Sequence, residues 1–562
     1  MRKTTFRLLL QYVVALGVES LGPLRPATVE ADDIYWVGYQ GCAAFESPDP
    51  ASFFNGDNWY GYLPPCCRAE CDPDCRAGCV TYCPARAIFG SGYDPGCDQD
   101  FAQCGYPHTI AFGNWCAAAP TGCPNGISVP GGDATVDSLE MQNESWAFDF
   151  GSAGWHCTPS DSELKGSLTV RRLLVGNVDG SDASLTLLNG MVHNTLVTHI
   201  ASGSASAGTV VLDGPDARWI VDGWIDLGWV GSGRVDVRNG AELTAGAALI
   251  GIRDNASGTL AITDGGLVTL QKLDVGYGHE STGGAIGTLR VSSPGSSLRV
   301  TDQGMAIGGI SSGNAEVRRG GLIVVEHGVV RISGPASVPS SLLVTDPETT
   351  MSLGDALYVG TNGGIGQVHV ANKGLLDTTD GIVVGEDGNG ILLVDRGGSV
   401  GCDFAAIGNT SNGEGAVTVS GGRSSLAVSS ALRVGYQGQG TLDVIGGASV
   451  SDDNCAIGEL PGSDGNATVS GRESRWENTS NLTVGGEGIG VLSVSKGGHV
   501  SVGTTLEITP NGTVTVASGG TITVGDCSGL LKKRNNAIFV SPGGAFIADG
   551  AVNARVVYLT PR

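Results

Sequence analysis

The sequence predicts an all-β chain built as one single-stranded, right-handed parallel β-helix of about 14 rungs, with a Cys-rich lobe at its N-terminal end. Three observations carry this expectation. Gly makes up 91 of 562 residues and charged residues only 16%, where an average soluble protein has roughly 7% Gly and 25% charge. A short phrase closing on Gly returns every 50 residues, with a second phrase interleaved. Within each unit apolar and polar residues alternate, the period-2 signature of strands.

The repeat sets the organisation. Ile382-Val383-Val384-Gly385, Leu432-Arg433-Val434-Gly435 and Leu482-Thr483-Val484-Gly485 align directly, with Ala406-Ile407-Gly408 and Ala456-Ile457-Gly458 between them. The gaps between successive closing glycines are 23, 27, 23 and 27 residues, so each half-period is one unit of about 25. Looser copies end at Gly176, Gly228, Gly276 and Gly360. In Gly440-Thr441-Leu442-Asp443-Val444, Leu442 and Val444 share one face of a strand. Gly446-Gly447 turns the chain, Ala448-Ser449-Val450-Ser451 is a second short strand, and Cys455-Ala456-Ile457 is a third. Three short strands per unit fit one rung of a β-helix. A β-propeller blade of 40–50 residues is the alternative, and the near-equal half-periods favour coils. At about 4.8 Å per rung the repeats make a rod of roughly 65 Å.

The longer half-units carry an added motif, Ser420-Gly421-Gly422-Arg423-Ser424-Ser425-Leu426 and Ser470-Gly471-Arg472-Glu473-Ser474-Arg475-Trp476, with looser versions ending at Trp219 and Leu298. Trp219 and Trp476 are candidates for stacking on a glycan. Leu at the equivalent positions points instead to packing against a neighbouring rung.

Composition excludes several classes. The Gly excess lacks the period and Pro content of collagen. Hydrophobic residues at 41% argue against disorder. The formal net charge of −24 disfavours binding to nucleic acid or anionic lipid, since phosphate affinity comes from cationic side chains. No apolar stretch reaches the ~18 residues a membrane helix needs.

The N-terminal segment points to export. Residues 1–31 read as a signal peptide: a positive start at Arg2, Lys3 and Arg7, an apolar stretch from Leu8 to Val18, and a candidate cleavage site at Val29-Glu30-Ala31. A buried N-terminal strand or helix is the alternative. Twelve of the 15 cysteines crowd between Cys42 and Cys157: Cys42, Cys66, Cys67, Cys71, Cys75, Cys79, Cys83, Cys97, Cys104, Cys116, Cys123 and Cys157. No pair has the C-x-x-C spacing of a zinc knuckle. In an exported chain they are disulfide candidates, with a thiolate metal cluster as the second reading. Cys402, Cys455 and Cys527 read as small buried hydrophobes. The expected divisions are residues 32–167 as a lead-in and cap, with a Cys-rich insertion at about 66–104, residues 168–525 as the solenoid, and residues 526–562 as a C-terminal cap or last rung.

Residues that would carry chemistry are few. The acidic pairs Glu386-Asp387 and Asp452-Asp453 fall in turns and read as solvated corners rather than an active site. The eight histidines recur at no fixed repeat position and form no H-E-x-x-H motif. G-x-S-x-G occurs at Gly309–Gly313 and at Gly397–Gly401, in Gly-rich turns without a strand-to-helix elbow. No nucleotide loop and no calcium nonapeptide are present, so no cofactor or metal is expected.

The 50-residue phrase resembles the repeat shared by passenger domains of type V autotransporters and by PEP-CTERM-associated surface proteins. The family's lead-in is matched by Trp36, Asn58-Trp59, Gly61, Pro64-Pro65 and Thr109-Ile110-Ala111-Phe112-Gly113, and its first coil by Val136 to Gly151. The segment Cys66 to Cys104 looks inserted, and Val556 to Arg562 matches neither a translocating barrel nor a sorting signal. The resemblance implies a bacterial β-solenoid exported to the cell surface or beyond; export, a long rod and missing chemistry together point to a non-catalytic structural or adhesive rod. Its partners would be extracellular glycans or cell-surface proteins. The alternative is a polysaccharide-binding or polysaccharide-degrading β-helix protein.

Overall fold

Along Gln439–Ile445 the side chains of Leu442 and Val444 point inward and are fully buried, while Thr441 and Asp443 face outward. Gly446-Gly447 turns the chain into Ser449–Asp452, Asp453 makes a one-residue corner, and Asn454–Ile457 completes the coil. The chain then returns to Asp464–Ser470, which lies beside the strand where the coil began. Leu442 pairs with Ala467, Val450 with Trp476, and Cys455 with Leu482, all in parallel register.

The computed structural model describes residues 167–525 apart from 254 and 279–283, together with strands at 35–37, 86–90, 108–111, 133–141, 145–149, 537–540, 545–548, 551–553 and 555–558. Among these residues there is no helix, strand dominates, and the fold is a parallel β-solenoid of about 14 turns. The β-helix expectation therefore holds and the propeller alternative does not. One core runs the length of the stack from Leu168 to Ile538, lined by Leu, Val and Ile from every coil. Each such side chain contributes about 1.5–3 kcal/mol on burial, and the stack needs no cross-links in this region.

The closing glycines have a steric cause. Gly435 turns with φ of +70°, and Gly440 begins the next coil against it. A Cβ on Gly440 would lie 2.1 Å from the Gly435 amide nitrogen, so the two backbones meet where no side chain fits.

The added motif of the longer half-units is a turn with a buried hydroxyl. Ser424 and Ser474 are buried, and each accepts the backbone N–H of a glycine in the preceding coil, Gly397 at 2.9 Å and Gly447 at 3.0 Å. Ser296 and Thr349 do the same for Gly265 and Gly320. Leu298 and Leu426, which close the motif, are buried in the core.

The cross-section changes along the stack. In Ala217–Leu227, Glu242–Ile250 and Leu267–Val275 the second and third strands of a coil run on as one. From Ser297–Val300 and Met305–Ile307 onward they are separated by a corner. That corner is itself a ladder, Asp380, Asp403, Ser430, Asp453, Ser480 and Thr504, each amide after the first bonded to the carbonyl of the member one coil back. Aspartate there meets hydroxyls from the following coil: Ser429 donates to Asp403 at 2.8 Å, and Thr479 and Ser480 each donate to Asp453 at 2.6 Å. From Asp403 to Ser480 the Asp coils alternate with Ser coils, which gives this part of the stack a reason to repeat every two coils.

Strands continue the ladders beyond the repeats. Asp133–Met141 pairs with Ser167–Val175, and Ala545–Ala548 with Thr513–Val516. Arg86–Gly90, inside the segment expected as an insertion, pairs in parallel with Ser138–Met141. The signal peptide, the twelve disulfide candidates and Cys527 lie outside the described residues.

Candidate functional site

The outward face of the third strands in the N-terminal coils gathers aromatic and titratable side chains. Trp224, Ala247 and Lys272 follow one another in register, and beside them run His199, Asp226, Leu249 and Asp274. Trp224 and Asp226 alternate with the buried Ile225 and Leu227, so both leave the sheet on its outer side.

A β-bulge sets this face. Ala245 pairs with Val221 but Ala247 pairs with Trp224, so Asp222 and Gly223 together oppose the single residue Gly246. The preceding coil carries the matching extra residue, because Asn194 pairs with Val221 and Val197 with Trp224. Gly223 is required there: a Cβ would fall 1.8 Å from the Leu196 carbonyl oxygen. Bulges bend a strand and re-aim side chains, and here Trp224 is left 46% exposed.

Polar groups on the face pair both across coils and within one strand. His199 Nδ1 lies 2.8 Å from Asp226 Oδ2, and His193 Nε2 lies 3.0 Å from Asp222 Oδ1. Lys272 Nζ lies 2.6 Å from Asp274 Oδ2. Asp226 is fully buried although it points outward. The His199 ring stands edge-on to Trp229 at 5.7 Å, and the Arg253 guanidinium lies 4.9 Å over that indole. The result is a hydrophobic step, Leu196 and Trp224, framed by His–Asp contacts and by the Lys272–Asp274 ion pair.

Both glycan-stacking candidates lie elsewhere. Trp219 and Trp476 are almost wholly enclosed in the core, so neither presents a ring face to a ligand, and packing is their role. The Trp219 indole N–H donates to Asn194 Oδ1 at 2.8 Å, and that of Trp476 to Asp452 Oδ1 at 2.5 Å. Asp452 also accepts from Asn478 Nδ2 at 2.6 Å. The expectation that Asp452-Asp453 is a solvated pair holds only for Asp453. Asp452 ends a strand and is buried, because Trp476 and Asn478 of the next coil supply its donors. Burial pushes its carboxyl up to about 6 despite those two hydrogen bonds, and the neighbouring Asp453 adds to the rise. Hydrogen bonds from Ser480 and Thr479 hold Asp453 below the usual range.

The other candidate groups are committed to structure. Glu386 accepts from Asn409 Nδ2 at 3.0 Å, and Asp387 from the Asn362 amide at 2.5 Å. Ser311, within the first G-x-S-x-G, is fully buried. Cys402 and Cys455 are buried free thiols, as expected. Burial, with Asp403 and Asp377 nearby, pushes Cys402 up to about 12. Cys455 is raised by burial, with Asp452 and Glu459 adding to it. Among the described residues, no group of three His, Cys, Asp or Glu side chains is placed to hold a metal.

Sequence reading missed the histidine pairs and the exposed tryptophan. His193, His199 and His369 each reach an aspartate one coil later, Asp222, Asp226 and Asp395. The available signal was His followed by Asp at about one coil length.

No family model matches the chain, and no curated protein matches it. Among solved structures, the crystal structure of the TibC-catalyzed hyper-glycosylated TibA55-350 fragment is similar at 16% identity, over 75% of this chain and 99% of that one, with a TM-score of 0.33. The assignment of the fold rests on the ladders themselves.

Proposed function

We propose that this chain is an exported, non-catalytic repeat protein that serves as a structural or adhesive rod at a bacterial cell surface. The observation that carries this reading is the use made of outward polar groups. Along the stack, Asp403, Asp453, Glu386 and Asp387 are spent on bonds to the next or previous coil. On the face beside Trp224, His199 is likewise set against Asp226 and Lys272 against Asp274. A stack of about 14 turns projects roughly 65 Å at 4.8 Å per coil, which suits display more than chemistry.

The test is accessibility on intact bacteria. Cells producing the chain with its own N-terminal segment are treated with protease and probed for the solenoid. Loss of the solenoid from intact cells, or its recovery in the medium, supports the proposal. Retention inside protease-treated cells contradicts it. Incubation with acidic and neutral polysaccharides should release no reducing ends, and release above background would overturn the non-catalytic part. The polysaccharide-binding alternative is favoured by one observation, the exposed Trp224 on its bulge.

A further inference from the structure

We propose that the bulged face around Trp224 is a binding site for a neutral, β-linked polysaccharide chain, with the Trp224 indole as its stacking platform. The inference goes beyond the rod reading, which stands whether or not this site binds.

The platform is built. Two adjacent coils carry an extra residue at the same place, and Gly223 is the only side-chain-free way to let the Leu196 carbonyl through. Alanine occupies the equivalent position in the next coil, Ala247, so the ladder itself does not call for an indole. Leu196 is also exposed, at 37%, and extends the apolar step backward by one coil. In Trp219 and Trp476 the ring is enclosed and its N–H is paired, and the half-buried Trp229 has its ring engaged by His199 and Arg253.

The surroundings select the ligand. One indole and one leucine cannot supply the roughly 800 Å² per partner that a stable protein interface buries. They can cover the C–H face of a pyranose ring, because the indole is large, flat and carries a negative π face. The frame is polar and pre-paired. Lys272 and Asp274 lie two coils along, about 10 Å away by strand spacing, and are bonded to each other at 2.6 Å. His199 and Asp226 lie on the near side at 2.8 Å. Ammonium and carboxylate side by side offer donor and acceptor to adjacent hydroxyls without net charge, which fits a neutral sugar better than a uronate or a phosphate. A step of one coil is comparable to the length of one sugar unit, so a chain laid along the rod meets the indole, the Ala247 gap and the Lys272–Asp274 pair in turn. Equatorial, β-linked sugars give the flat ribbon that such a surface accepts.

The experiment uses the full chain and four probes: β-1,4-linked hexasaccharides of glucose, of xylose, of glucuronic acid as its neutral methyl ester, and of glucuronic acid as its free acid. Isothermal titration and tryptophan fluorescence read the binding. At least one neutral hexasaccharide is expected to bind with Kd on the order of 0.1 mM, and Trp224→Ala to weaken it at least about tenfold. Trp224→Phe should restore most of the affinity, and Lys272→Met should weaken it several-fold. Because Trp224 is exposed, the melting temperature and circular dichroism of Trp224→Ala should match the parent. Equal binding by parent and Trp224→Ala overturns the proposal, as does preference for the free acid. So does failure of every neutral probe at millimolar concentration. None of these results bears on surface display, which the protease experiment decides separately.

Discussion

The indole N–H of Trp476 donates at 2.5 Å to the carboxylate of Asp452, a buried acid in the preceding coil. Trp219 makes the same contact with Asn194, where the acceptor is neutral. In both cases the acceptor sits two residues past the position that pairs with the tryptophan: Val450 pairs with Trp476 and Val192 with Trp219. The ladder thus accepts an indole wherever the previous coil can offer it an oxygen. A buried indole N–H without one would cost about 1–3 kcal/mol.

Asp452 gives the stack a pH dependence. Its carboxyl is raised from the ordinary 3.8 to about 6, so between these values the folded chain holds a proton that the unfolded chain has lost. The stabilising contribution is full below pH 3.8 and is lost as pH rises through 6. Two units correspond to about 3 kcal/mol. Asp452→Asn, which copies the Asn194 arrangement, should be at least as stable as the parent at pH 7.5 and lose relative to it at pH 4. Asp452→Ala should be destabilised by about 2–4 kcal/mol at both, with two donors left unpaired. Denaturant titrations at pH 4 and 7.5 check this, and parallel pH slopes for parent and Asp452→Asn would contradict it.

The buried hydroxyls of the longer turns make a second prediction. Ser474→Ala leaves the Gly447 N–H without its acceptor, at about 1–3 kcal/mol. Ser424→Ala should behave alike at Gly397. The two sites are 50 residues apart in sequence and share no partner, so the double variant should be additive within about 0.5 kcal/mol. Urea titration of the three variants decides.

Glycine substitutions should separate steric need from mere abundance. Gly440→Ala forces a Cβ to within 2.1 Å of backbone and should lower the melting temperature sharply or unravel the coil. Gly422 has nothing within 4 Å of its would-be Cβ and no positive φ, so Gly422→Ala should be neutral or stabilise by up to about 1 kcal/mol. Comparable losses at both positions would show that the corner contact is not what holds Gly440.

Thiol labelling tests the cysteine assignments. Cys402 and Cys455 are buried, with thiols raised above the ordinary 9.0, so iodoacetamide at pH 8 should leave both unmodified until the protein is unfolded. In the same digest of exported protein, the cysteines from Cys42 to Cys157 are expected in disulfides. Rapid labelling of Cys402 in the folded state would contradict its burial.

Much of the fold was legible because its rule is local. Leu442 and Val444 announce an inward face by alternation, and Gly435 announces the corner by recurring every two coils. Features that depend on the neighbouring coil were not legible. Asp452 looks identical in sequence to the solvated Asp453, and only Trp476, 24 residues later, makes it a buried acceptor. His199 finds Asp226 at a distance of one coil, where no local pattern marks it. Trp224 is exposed because the strand carries the extra residue beside Gly223, a shift of one residue that alternation alone does not reveal.

Distance measurement along one outward ladder tests the stacked-coil architecture most directly. Thr209, Thr259, Thr441 and Thr513 occupy the same register position on successive first strands. With thiol-independent spin labels, Thr259 and Thr441 are seven coil steps apart and should lie about 34 Å from each other, and Thr209 and Thr513, twelve steps apart, about 58 Å. Distances that grow in proportion to the number of coils support a straight stack. Thr209 and Thr513 lying closer together than Thr259 and Thr441, as in a closed ring of blades, would contradict it.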